Sequence, residues 1–117
     1  MSFILKPISS IKEKITILVP KDLGRTSKSE ITVEFKKLSV SAAKQLMESS
    51  ANGDLNDDEA LEENIVDISG LLDESGNKID YTVDLLSELL DMEYVRRPIT
   101  KKFMEVIIGK EALKAKN

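Results

Sequence analysis

The spacing of hydrophobic residues changes about a third of the way along this chain. From Lys14 to Val19 the run K-I-T-I-L-V alternates, is rich in β-branched residues and ends at Pro20, which predicts a strand over about 14–19. From Glu30 to Lys37, Ile31, Val33 and Phe35 fall on one face while Thr32, Glu34 and Lys36 fall on the other, the pattern of a half-buried strand over about 30–37. The residues between them, K-D-L-G-R-T-S-K-S-E, are polar and contain Gly24, so the two strands predict an antiparallel β-hairpin with a long mobile loop. Residues 1–12 mix apolar side chains with Pro7 and a Ser pair, and predict a flexible arm or an edge strand.

Beyond Lys37 the period becomes helical. Val40, Ala43, Leu46 and Met47 recur at three- and four-residue spacing behind Ser39 or Ser41 as a cap, giving a helix over about 40–51 that stops before Asn52-Gly53. Asn56 followed by Glu59 has capping-box spacing and opens a second helix over about 56–67, with Leu61, Ile65 and Ile68 as its apolar side. In I-V-D-I that periodicity weakens, and the last turn is expected to pass into extended chain. Gly70, Gly76 and Asn77 make D-E-S-G-N-K a turn between Leu71-Leu72 and Ile79, compatible with a tiny hairpin. Thr82 caps V-D-L-L-S-E-L-L-D, whose four leucines form a wide stripe over about 82–91. Pro98 suits the first turn of a last helix over about 97–109, with Ile99, Phe103, Val106 and Ile107 facing inward and Gly109 as its stop; 110–117 reads as a frayed basic tail. The expected class is α+β: an amino-terminal hairpin followed by a bundle of four helices, in a single domain spanning 1–117.

Composition narrows the chemistry. Five aromatics in 117 residues leave Leu, Ile and Val to fill the interior. With no Cys and no His, the chain lacks thiolates, disulfides, the commonest metal ligand and the side chain that titrates nearest neutrality, so the expectation is no enzyme and no cofactor. The amino end lacks the apolar core of a signal peptide, and no run approaches the roughly 20 residues that span a bilayer, so the expected setting is the cytoplasm.

Charge falls in blocks. Residues 1–53 carry nine bases against five acids, 54–93 one against fourteen, and 94–117 seven against two. Basic flanks can therefore pack on the acidic centre, within the chain or between neighbours, or all three blocks can be solvated helix faces. Arg96, Arg97, Lys101 and Lys102 form the densest basic patch, beside Tyr94; the acidic centre competes for it, which favours internal or subunit pairing over nucleic acid.

Asp54, Asn56 and Asp58 match the first ligands of a calcium loop, but Glu59 stands where the glycine is needed and Ile65 where the closing acid is needed, so no metal is expected. The acid pairs Asp73/Glu74 and Glu62/Glu63 have no nucleophile or oxyanion donor beside them in sequence and read as solvated charges. Phosphate-loop and nucleophile-elbow motifs do not occur.

The order of parts resembles the tail assembly chaperones of long-tailed bacteriophages. The strand pair closes on V-E-F-K-K-L-S at Val33–Ser39, and an acidic helical region follows. An apolar dyad before glycine at Ile68–Gly70, a D-x-x-G turn at Asp73–Gly76, a Y-T-x-x-x-L-x-x-L-L helix at Tyr81–Leu90 and a step from Tyr94 into an aromatic-bearing helix at Phe103 complete the likeness, which departs where Ile68 replaces a frequent Trp. The resemblance implies a non-enzymatic chaperone that binds the tape-measure protein, and in some cases the major tail protein, in the host cytoplasm, alone or as a homo-oligomer, and is absent from the finished virion. It implies a partner surface drawn from Leu86, Leu90, Tyr94, Phe103, Met104 and Ile108, with Arg96 and Arg97 beside it. The competing reading is a small acidic regulator or inhibitor that occupies a basic site on a host or phage protein.

Overall fold

A computed structural model describes residues 3, 5, 8–51, 53 and 57–108. Asp54, Asn56, Gly109, the tail and most of residues 1–7 lie outside this set, so the calcium loop, the Asn56 cap and the Gly109 stop fall beyond the described residues.

The architecture is α+β, with an amino-terminal hairpin and four α-helices among the described residues. The hairpin is longer than its apolar pattern suggests. Strand β1 (Ser10–Pro20) pairs antiparallel with β2 (Thr26–Lys36), from Ser10 opposite Lys36 to Pro20 opposite Thr26. Half of the polar stretch expected to be a mobile loop, Thr26 to Glu30, is ladder. Its residues add strand at small cost because β1 supplies the apolar side: Ser29 and Ser27 stand opposite Ile17 and Val19. Ile15, Ile17, Ile31, Val33 and Phe35 are buried on one face, while Lys12, Lys14, Thr16 and Leu18 meet solvent on the other.

Helix α1 (Val40–Ala51) starts on the Ser39 cap, whose hydroxyl accepts from the Ala42 N–H at 3.1 Å. Helix α2 (Asp57–Asn64) is shorter than its expected 56–67, because the chain turns at Asn64 into a third strand, β3 (Ile65–Ser69), paired antiparallel with β2. Ile65 and Ile68 are three apart, a helical interval, and both are buried. A register shift makes this possible: Glu34 faces Asp67, but Phe35 faces Ile65, leaving Val66 as the extra residue of a bulge. The bulge turns a helical spacing into a strand with two inward isoleucines.

After β3, Gly70 crosses close over β2 with φ +91; a Cβ there would lie 3.2 Å from the Glu30 carbonyl oxygen. The D-E-S-G-N-K turn follows, closed by a bridge between Leu72 and Lys78, and the Asp73 carboxylate accepts from the N–H groups of Ser75 and Asn77 at 2.9 Å each. One of the acids read as merely solvated therefore holds this turn together.

Helix α3 (Val83–Leu90) has Thr82 as its cap, accepting from the Leu85 N–H. Helix α4 (Glu93–Ile108) begins four residues before its expected start, with Pro98 inside it. An interior proline forfeits one hydrogen bond and crowds the carbonyl four residues back. What opposes that cost is burial: Val95, Ile99, Phe103 and Val106 form one stripe against the sheet and α3. The helices cover one face of the sheet, and the core lies between the two layers. No helix among the described residues is long and apolar enough to cross a membrane.

Candidate partner-binding surface

Helix α1 is the loosest part of the fold. None of its described side chains is buried; Leu46 alone among them packs on the core from partial cover, while Val40 is 75 % exposed. Because α1 touches the body along so narrow a line, an open apolar cleft of about 230 Å³ remains between it, α2 and α4. Leu46, Met47 and Ala51 form the α1 wall, Ala60 and Leu61 the α2 wall, and Thr100, Phe103, Met104 and Ile107 the α4 wall. Such a cleft is lined for aliphatic side chains and offers few polar groups to orient a small substrate.

The residues singled out from sequence are dispersed. Leu86, Leu90 and Phe103 are 0 %, 3 % and 5 % exposed, so they are spent on the protein's own core, although the edge of Phe103 reaches the cleft. Met104 is half-buried in the cleft wall. Tyr94 lies elsewhere, half-buried with its hydroxyl 3.1 Å from the Met92 sulfur, lining a second depression with Ile17, Val19 and Leu72. The side chain of Ile108 falls outside the described residues.

The basic patch is divided. Arg96 donates to the Leu90 carbonyl at 3.1 Å and pairs with Asp58, tying α4 to α2 and joining the basic flank to the acidic centre. Arg97 pairs with Glu93 one turn back, and Lys102 with Glu105. The basic flank thus meets the acidic centre at Arg96–Asp58, an interhelix clamp, and at Arg97–Glu93 within α4, while Lys102–Glu105 is a pair inside the basic block itself.

Tyr81 is half-buried where it enters α3, and its hydroxyl is buried without a hydrogen-bond partner among the described residues. Burial, then the nearby Glu62 and Asp67 charges, hold its phenol above the usual 10.0.

Sequence reasoning placed Leu46, Met47 and Ile107 on apolar helix faces without joining them as a surface; the signal available was a helix, 40–51, whose stripe lacks large residues for a full seat in a core. It also passed over Leu23, an apolar residue within a polar turn, which is 90 % exposed. Comparison of the chain with protein-family models, curated proteins and solved structures finds no match.

Proposed function

We propose that this protein is a non-enzymatic tail assembly chaperone of a long-tailed phage or prophage, which holds helical segments of the tape-measure protein, with the major tail protein as a further partner, in the host cytoplasm. The observation that supports the reading is the open aliphatic cleft between α1, α2 and α4, whose α1 wall has no fully buried side chain among the described residues. A helix laid along such a groove seats apolar side chains at three- and four-residue intervals, and the charged surface around it keeps the complex in solution. Tape-measure helices, long and apolar on one side, are the occupant implied by the order of motifs in the sequence.

Titration of tape-measure segments into the full chain tests this. Binding is expected to weaken at least roughly tenfold in Met104→Glu and in Met47→Glu, each of which sets a charge in the cleft; circular dichroism establishes that the variants remain folded. No binding of any segment at any salt concentration rejects the reading. Binding that collapses as salt rises yet ignores both variants supports instead an acidic regulator acting through α2, which carries five acids and no base.

A further inference from the structure

The half of β2 nearest the hairpin turn is an open sheet edge. The Lys37 N–H bonds to the Ser9 carbonyl at 3.0 Å and the Lys21 N–H to the Arg25 carbonyl at 2.8 Å, and the two pairs bracket the β1–β2 ladder in one register. Bonded pairs alternate in an antiparallel ladder, so odd-numbered residues of β2 turn their backbone groups to β1 and even-numbered ones turn theirs away. Of the latter, Thr32 and Glu34 stand opposite Ser69 and Asp67 of β3, whereas Lys28 and Glu30 have no strand opposite them. The chain leaves that track at Gly70, with φ +91, and the Leu71 carbonyl accepts instead from the Ile79 N–H at 3.0 Å. Lys28 and Glu30, both exposed, therefore direct two N–H donors and two carbonyl acceptors outward with no backbone partner among the described residues.

Beside this edge the core face of the sheet is not filled. A depression of about 250 Å³, which Ser29 and Glu30 help to line, is walled by Ile17, Val19, Leu72 and Tyr94. Leu72 is 60 % exposed, and Val19 and Tyr94 are half-buried. Ser29 stands opposite Ile17 in the ladder, and residues opposite one another share a face. A residue added across from Ser29 on its other side would thus direct its side chain into the depression, while those across from Lys28 and Glu30 would face solvent. Backbone groups left open beside a pocket for an alternate side chain are the arrangement by which sheets bind extended peptides.

We infer that the edge from Lys28 to Glu30 binds an extended segment of a partner protein, running antiparallel to β2 in the track that β3 vacates. Cross-strand complementarity gives the segment its chemistry: Lys or Arg opposite Glu30, then Val, Ile or Leu opposite Ser29 in the depression, then Asp or Glu opposite Lys28. The site is separate from the cleft between α1, α2 and α4. Tyr94 and Met104 lie on either side of that separation, about 15 Å apart by the rise of α4. A strand at one end of α4 and a helix along the other are compatible on one molecule, and either reading stands if the other fails.

NMR titration of the full isotope-labelled chain with the capped peptide Lys-Val-Glu-Val-Thr tests this. Saturable shifts are expected at Val19, Lys28, Glu30 and Tyr94, and the charge-swapped peptide Glu-Val-Lys-Val-Thr is expected to bind about tenfold more weakly. Lys28→Pro removes an outward donor without touching the β1 ladder, and Leu72→Lys sets a charge at the depression; each should weaken binding about tenfold or more. No saturable shift at Lys28 and Glu30, equal affinity for the two peptides, or binding that survives both substitutions overturns the inference. So do shifts centred on Met47 and Met104, which put the peptide in the cleft, and edge signals that move with protein concentration alone, which put a second copy there.

Discussion

The rings of Phe35 and Phe103 stack with their centroids 5.9 Å apart and their planes 26° from parallel, joining the middle strand to the last helix. Phe35 is fully buried and Phe103 nearly so. Two parts of the chain 68 residues apart are thereby fixed to each other, and the α4 wall of the cleft inherits its position from this contact.

Phe103 and its neighbour Met104 should therefore separate stability from binding. Phe103→Ala is expected to cost about 3–5 kcal/mol of unfolding free energy, as for other large aromatic truncations in a core. Met104→Ala, at a half-buried wall, should cost less than about 1.5 kcal/mol while still weakening partner capture. Urea denaturation of the two variants decides; equal losses would mean that the cleft wall is as integral to the core as the stacked rings.

Tyr81 makes the fold sensitive to alkali. Its folded pKa is raised above the unfolded value, so the folded chain holds the proton more tightly. The associated stability is whole below the unfolded pKa near 10.0 and declines as pH rises from there toward the folded value. Tyr81→Phe removes the titrating group and an unbonded buried hydroxyl. It should gain up to about 1 kcal/mol at neutral pH and lose stability less steeply above pH 10. Superimposable pH–stability curves for the two proteins would refute this account of Tyr81.

Gly70 should resist substitution. Its φ of +91 is unfavourable for any residue with a side chain, and an added Cβ would press on backbone, 3.2 Å from the Glu30 oxygen and 3.4 Å from the Ile31 Cα, with no flexible side chain there to yield. Gly70→Ala is expected to destabilise by about 1–3 kcal/mol. A loss within ~0.5 kcal/mol, the ordinary range for a surface change, would show that this approach relaxes freely.

Taken alone, the sequence determined the features that depend on neighbours along the chain. Alternation from Lys14 to Val19 and from Ile31 to Phe35 set two strands, a serine at 39 or 41 and Thr82 set two helix starts, and the leucine stripe set α3, because capping and periodicity act over three or four residues; that the first cap is Ser39 was decided by the fold. Tertiary structure decided everything that required a distant partner. Ile65 to Ser69 became a strand because β2 offered a free edge and a bulge could turn both isoleucines inward. Helix α4 ran through Pro98 because the sheet and α3 bury its stripe on both sides of the proline. The leucines expected at a partner surface, Leu86 and Leu90, went to the core, and Phe103 went there with only its edge at the cleft, which is otherwise lined by residues of three helices such as Leu46, Met47, Leu61 and Ile107. A hydrophobic stripe specifies that a side chain seeks apolar company; which company it finds depends on how many other stripes reach it first.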